Sequence, residues 1–121
     1  MKLASREGIG TVGIRILAGG ALSGSLKRHP IAQQNVAPIA TSSTFQEDVS
    51  RTSAFEFLAK EGFVDNLVEA SIRFAISHDN LDTALIGLSN FDQLKQAINY
   101  ANQGPLPQEA LDKISEIWTV S

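Results

Sequence analysis

The strongest constraint on how this chain can fold comes from two short apolar segments, each of which is followed by small residues. The first, IGTVGIRIL, spans residues 9 to 17 and leads into AGGALSGS. The second, LDTALIG, spans residues 81 to 87 and leads into LSNFDQL. Segments of this length with little polar alternation are typical of strands buried on both faces of a parallel sheet. Two such strands separated by helical sequence predict a β-α-β unit.

Helical patterns separate the two strand segments. A first helix is predicted to begin near Ser50 or Thr52, to run through Lys60 and to end at Gly62 as a C-terminal cap. The next helix is predicted within residues 63 to 78. Its apolar stripe is formed by Val64, Leu67, Val68, Ser71, Ile72 and Ala75.

Two further helices are predicted after the second strand segment. The stripe of the first consists of Phe91, Leu94, Ile98 and Ala101, and the stripe of the second consists of Leu111, Ile114 and Trp118. Gly104 and Pro105 end the first of them, and Pro107 suits the first turn of the last helix. The segment before all the helices, residues 25 to 50, has two prolines and no sustained periodicity, so a long loop is expected there.

Length and composition narrow the class of protein. The chain has 121 residues, 43% of them hydrophobic, which fits one globular domain. Its formal net charge of −3 offers no broad basic surface, so neither nucleic acid nor a membrane is expected as a partner. It has no cysteine, no apolar run near the roughly 20 residues of a membrane span and no signal-peptide pattern at MKLASREGIG. We therefore expect a soluble cytoplasmic protein.

The turns that follow the two strand segments are the candidate ligand sites. At the carboxyl end of a parallel strand, a helix N-terminus exposes N–H groups that bind anions, and Gly87 and Ser89 would suit such a site. Alternatively, Asn90 caps the helix and Gln93 completes a capping box. AGGALSG, residues 18 to 24, is open to the same two interpretations, a close approach to a pyrophosphate or a tight turn.

Three segments together resemble the C-terminal half of an aldo-keto reductase. GIGTVGIRILAGGALSG, residues 8 to 24, is similar to the seventh barrel strand of that family and its loop. TALIGLSNFDQLKQAI, residues 83 to 98, is similar to the eighth strand and its phosphate-binding turn, and GPLPQEALDKI, residues 104 to 114, also resembles the family. The resemblance implies an α/β fold, part of a (β/α)8 TIM barrel with about two parallel strands and covering helices. The whole chain, residues 1 to 121, would form a single partial domain.

The resemblance also implies hydride transfer between a nicotinamide and a carbonyl or alcohol, with NADP(H) as cofactor and NAD(H) as the alternative. The implied cofactor-binding residues are Leu17, Ala18 and Gly19 along the pyrophosphate, Gly87, Leu88 and Ser89 at the adenosine-side phosphate, and Gln93, Gln96 and Ala97 near the adenine and its ribose.

Several positions depart from the family's pattern. Ile14 stands where an aromatic ring often stacks on the nicotinamide, and Arg15 and Ile16 stand where a serine-proline pair often follows. Lys27 would replace a basic residue of the loop. Gln93 lies where many members have an arginine that pairs with the 2′-phosphate, which bears on the choice between NADP(H) and NAD(H).

No catalytic residue and no metal ligand is predicted in this chain. The family's Asp, Tyr, Lys and His lie in the first half of the barrel. Tyr100 is expected to be a packing or surface residue, and neither His29 nor His78 has a convincing carboxylate or serine partner in the sequence. The carboxylates and guanidinium of Asp65, Glu69 and Arg73 are expected on a solvated helix face, and Trp118 in the core.

The chain is therefore expected to be inactive alone. Since a typical barrel of this type needs about 250 residues, the expected partners are the missing N-terminal half or a second copy joined through the exposed strand edges. An alternative is a non-catalytic nucleotide-binding or protein-interaction module derived from the barrel.

Overall fold

The computed structural model of the chain describes residues 1–25, 27, 29–32 and 44–120. The helices of this part are α1 (Lys2–Arg6), α2 (Phe45–Thr52), α3 (Phe57–Lys60), α4 (Leu67–Ile76), α5 (Phe91–Asn102) and α6 (Gln108–Val120), with short 3-10 helices at Ala18–Ser23 and Ser53–Phe55. The strands are β1 (Val12–Gly13) and β2 (Thr83–Ala84). None of the helices in the described ranges is long and apolar enough to span a membrane.

The two strands pair in parallel, as the β-α-β pattern predicted. Val12 lies opposite Thr83 and Gly13 opposite Ala84. The prediction that the strands are buried on both faces is wrong, because Val12 is 60% and Ile14 65% exposed. Among the described residues, the sheet face that carries Val12, Ile14 and Leu85 is largely exposed.

A cluster of hydrogen bonds fixes the register at the amino end of the strands. The Thr11 N–H donates to Asp82 Oδ2 at 2.6 Å, and the Asp82 N–H donates to Thr11 Oγ1 at 3.1 Å. The Thr11 backbone N–H, and then its hydroxyl, hold the pKa of the Asp82 carboxyl below its ordinary value of 3.8. Because the folded state prefers the charged carboxylate, this contribution to stability is complete above the unfolded pKa and is lost as pH falls through the folded pKa.

Replacing Asp82 by asparagine is expected to lower the urea midpoint at neutral pH, with a difference from the parent that shrinks as pH is lowered below about 4. Thr11→Val removes the hydroxyl but keeps the backbone N–H, which is the larger cause of the lowered Asp82 pKa. We therefore expect Thr11→Val to lower the urea midpoint at neutral pH less than Asp82→Asn does. Urea unfolding of the three proteins across this pH range measures both. A constant difference between the Asp82→Asn variant and the parent at every pH would contradict the assignment.

The long loop predicted at residues 25 to 50 ends earlier than expected. Residues 26, 28 and 33–43 lie outside the described part, but α2 begins at Phe45 rather than near Ser50 or Thr52. Thr44 caps this helix by accepting from the Glu47 N–H at 3.2 Å, and Glu47 Oε2 accepts from the Thr44 N–H at 2.6 Å. This reciprocal capping box satisfies two of the N–H groups that a helix start leaves without partners, so it sets where α2 begins.

Helix α4 carries a buried ion pair where the sequence predicted a solvated face. Glu69 and Arg73 side chains are only 2% and 11% exposed, and Arg73 Nη1 lies 2.9 Å from Glu69 Oε1. Arg73 also donates to the carbonyls of Phe63, Gly104 and Pro105 at 3.3, 2.9 and 3.0 Å. The pair therefore joins α4 to the segment before it and to the turn between α5 and α6.

The hydrophobic core lies between α3, α4 and α6. Its buried residues are Leu58, Val64, Ala70, Leu106, Ala110 and Ile114. Trp118, predicted in the core, is instead 55% exposed and packs edge-on against Phe74 with ring centroids 5.5 Å apart. The apolar stripe predicted for α5 is also largely uncovered, because Phe91 is 66% and Ile98 51% exposed.

A partly open apolar cavity of about 220 Å³ adjoins this core. Its lining residues come from the loop after β1, the segment 53–60, α4 and α6, and they are Ile16, Leu22, Phe55, Leu58, Leu67, Ala70, Ser71, Phe74, Ile114 and Trp118.

Candidate functional site

The carboxyl ends of β1 and β2 bring the two predicted ligand turns to one edge of the sheet. The strands are parallel and in register, and the pairing continues past them, where the Leu85 N–H donates to the Gly13 carbonyl at 2.8 Å. The chain then leaves β1 toward Leu17–Gly19 and leaves β2 toward Gly87–Ser89 on the same side. Both segments therefore follow the carboxyl ends of strands that pair in parallel.

The predicted cofactor residues differ in exposure. Leu17, Ala18, Gly19, Ser89, Gln93 and Ala97 are half-buried, whereas Gly87, Leu88 and Gln96 are exposed. Gln93, Gln96 and Ala97 all lie on α5, which begins directly after the second turn. The nine positions therefore belong to two turns and to the helix that follows one of them.

The turn after β1 takes up an unusual backbone conformation. Ala18, Gly19 and Gly20 have φ values of 52°, 68° and 100°, in the left-handed region that glycine tolerates best. The Ala18 N–H donates to the Arg15 carbonyl at 2.8 Å, and the Gly20 N–H donates to the Leu17 carbonyl at 2.9 Å. Two of the turn's N–H groups are thus used within the turn, which supports the tight-turn interpretation of this segment.

The turn before α5 is closed by side chains. Asn90 Oδ1 accepts from the Gln93 N–H at 2.8 Å, so the predicted N-cap is confirmed. Gln93 Oε1 accepts from the Ser89 N–H at 2.7 Å, one residue before the partner that the predicted capping box requires. Gln93 therefore acts as a cap, and the Ser89 N–H is not open to a ligand in this arrangement.

The first turn of α5 also carries charge. A helix leaves the N–H groups of its first residues, here Phe91 and Asp92, without an intrahelical partner, and these groups attract anions. Asp92 itself brings a carboxylate to this turn, which stabilises the helix and opposes a second anion. Lys95, one turn on, lies 4.8 Å from the centroid of the Phe91 ring. This cation–π pair is not among the residues predicted from the sequence, although a spacing of four residues on a helix is its signal.

Gly87 is not required by the packing around it. A Cβ built there would meet no atom within 4 Å, and its φ lies outside the left-handed region. Gly13, by contrast, faces Leu81, whose Cδ atoms would lie 3.1 Å from such a Cβ. The space in front of Gly87 is therefore open to a group that approaches the backbone closely.

The other candidate residues have local structural partners. The Tyr100 hydroxyl accepts from Asn66 Nδ2 at 2.8 Å, which ties α5 to the start of α4. His78 Nδ1 accepts from the Asn80 N–H at 3.2 Å, and His29 Nδ1 accepts from the Ile31 N–H at 3.3 Å. Among the residues that the structure describes, no group of three or more His, Cys, Asp or Glu side chains is placed to hold a metal ion.

Comparison with known proteins identifies one family. The sequence model of the Aldo/keto reductase family matches residues 1–119, a range that includes both ligand turns and helices α1 to α6 except Val120. Neither a curated protein nor a solved structure matches the chain.

Proposed function

The chain belongs to the aldo/keto reductase family, and from that premise we propose that it carries part of the face on which a nicotinamide dinucleotide binds. The arrangement of strands and helices fits a part of the family's (β/α)8 barrel, in which sites form at the carboxyl ends of the strands. The observation that carries the proposal is the parallel register of β1 and β2, which directs both ligand turns to one edge.

In this proposal each predicted segment has a binding role. Leu17, Ala18 and Gly19 lie along the pyrophosphate, Gly87, Leu88 and Ser89 meet the adenosine-side phosphate, and Gln93, Gln96 and Ala97 flank the adenine and its ribose. The open space at Gly87 favours a phosphate that approaches the backbone. The Ser89 N–H can donate to that phosphate only after its hydrogen bond to Gln93 Oε1 is broken.

The cofactor is proposed to be NADP(H), which the family resemblance favours, with NAD(H) as the alternative. Gln93 is uncharged, and its amide oxygen is bound to the Ser89 N–H. Asp92, in the same turn, would repel a 2′-phosphate. Both dinucleotides therefore belong in any binding experiment.

Alone, the chain is proposed to bind without catalysing hydride transfer. The family's proton donor is a tyrosine whose pKa is lowered by a lysine, and the one tyrosine of this sequence, Tyr100, has its hydroxyl hydrogen-bonded to Asn66. The cytoplasm is the proposed compartment.

A partner is proposed to complete the barrel across the uncovered face of the sheet. Val12 lies in β1, and Ile14 and Leu85 directly follow β1 and β2. All three side chains are 60–65% exposed. An apolar sheet face and two unpaired strand edges favour association. The proposed partner is the N-terminal half of the barrel, and a second copy of this chain is the alternative, which sedimentation velocity would reveal as a dimer.

A second candidate function is a non-catalytic module that kept the shell of the nucleotide site. The capping of the α5 turn by Asn90 and Gln93, together with the Asp92 carboxylate, favours it. The uncovered stripe at Phe91 and Ile98 would then serve as a protein-interaction surface.

Calorimetric titration with NADP⁺ and with NAD⁺ separates the two functions. We expect saturable heat with at least one dinucleotide, and no steady loss of nicotinamide absorbance when NADPH and a carbonyl substrate are added to the pure chain. Heat of dilution alone with both dinucleotides would favour the interaction module. Steady turnover by the pure chain would overturn the binding-only assignment.

A further inference from the structure

The apolar cavity beside the core is a second candidate site, separate from the turn before α5. It lies between α4 and α6, and it is closed on another side by Ile16 and Leu22, which flank the turn after β1. Its volume is about 220 Å³. A closed apolar cavity of about 150 Å³ holds one benzene molecule, so this partly open cavity has room for one ring compound.

The lining determines which chemistry the cavity accepts. Among the residues that the structure describes, none of the side chains that line it is charged. The one hydroxyl among them, that of Ser71, donates to the Leu67 carbonyl at 2.8 Å within α4, so its proton is already used. A charged or strongly polar guest would lose its hydration without compensation, whereas an apolar guest gains from leaving water.

The aromatic side chains of the lining favour a ring. Phe55, Phe74 and Trp118 contribute to the wall, and Phe74 and Trp118 already meet edge-on with their ring planes 80° apart. Trp118 is 55% exposed and stands at the rim, where a guest would cover more of it. A guest ring can add further offset or edge-to-face contacts with these side chains.

We propose that this cavity binds one small uncharged aromatic molecule, independently of any nucleotide. The guest fills the void between α4 and α6 and contacts Ile16 and Leu22 from the side of the core. Binding thereby braces the turn that holds Ala18 and Gly19. The proposed binding is non-covalent.

The test uses Trp118, the only tryptophan of the chain, as the reporter. Benzene is titrated into the parent protein while the Trp118 emission is followed, and the thermal unfolding midpoint is measured with and without benzene. We expect a saturable emission change and a midpoint that rises with benzene concentration.

Ser71→Leu places a larger apolar side chain in the cavity, and Ser115→Leu adds the same side chain at an exposed position of α6. The first is expected to weaken benzene binding at least tenfold, and the second to leave it unchanged. Leu22→Phe, which fills the cavity from the opposite wall, should act as Ser71→Leu does and serves if that variant fails to fold. Absence of a saturable change in the parent, or benzene binding by both filling variants as tight as that of the parent, would overturn the proposal. So would an emission that depends on protein concentration and not on benzene, because a second copy would then occupy the cavity.

Discussion

Replacing Arg73 by alanine is expected to lower the free energy of unfolding by about 3–5 kcal/mol, the cost of leaving one member of a buried ion pair without its partner. Glu69, whose side chain is 2% exposed, would lose its cationic partner in the interior. The substitution also leaves the carbonyls of Gly104 and Pro105 without the donors that hold the α5–α6 turn against α4. Urea unfolding monitored by far-ultraviolet circular dichroism measures the loss.

Two further variants separate charge from packing in this pair. Arg73→Lys keeps the charge but loses the planar fork that reaches Glu69 and the carbonyls together, so an intermediate loss is expected. Combining Glu69→Gln with Arg73→Met removes both charges, and it should cost less than Arg73→Ala does alone. A loss below about 1 kcal/mol for Arg73→Ala, the usual value for an exposed pair, would mean that the sequence-based interpretation of a solvated face was correct.

Leu58→Ala is the second change with a large expected effect, about 2–5 kcal/mol, because it removes a buried side chain from a core that cannot fully collapse around the gap. Leu58 is 2% exposed and lies in the cluster that joins α3 to α4 and α6. Leu3→Ala is the matched control, since Leu3 is 69% exposed on α1 and its loss should change stability by no more than about 0.5 kcal/mol. Similar urea midpoints for the two variants would contradict the position of the core.

The sequence predicted the parts of the fold that depend on local patterns. Asn90 was placed correctly as the cap of α5, and Gly62 and Gly104 follow helix ends with φ of 82° and 81°. The start of α2 also depends on a local signal, the Thr44–Glu47 capping box. This signal lies in a stretch without apolar periodicity, for which the sequence predicts a loop. The burial of Glu69 and Arg73 is not local, because it depends on carbonyls about 31 residues further along the chain.

In the candidate site, too, some features could be predicted from the sequence and others could not. Two strands with helical sequence between them are enough to predict parallel pairing, and the structure confirms that pairing. The sequence left Gln93 between a ligand and a cap, and the hydrogen bond to the Ser89 N–H decides for the cap. The exposure of Ile14 and of Phe91 could not be predicted from periodicity, because periodicity shows which face is apolar and not whether another element covers it.

The most direct test of the account compares dinucleotide binding by Gly87→Ala and Gly10→Ala. Both glycines have open space where a Cβ would stand and neither has a left-handed φ, so both variants should fold as the parent does. Only Gly87 lies at the carboxyl edge of the sheet, whereas Gly10 precedes β1 at the opposite end. Calorimetric titration should show binding at least tenfold weaker for Gly87→Ala and unchanged for Gly10→Ala. Equal binding by both variants would contradict a cofactor that rests against the turn before α5.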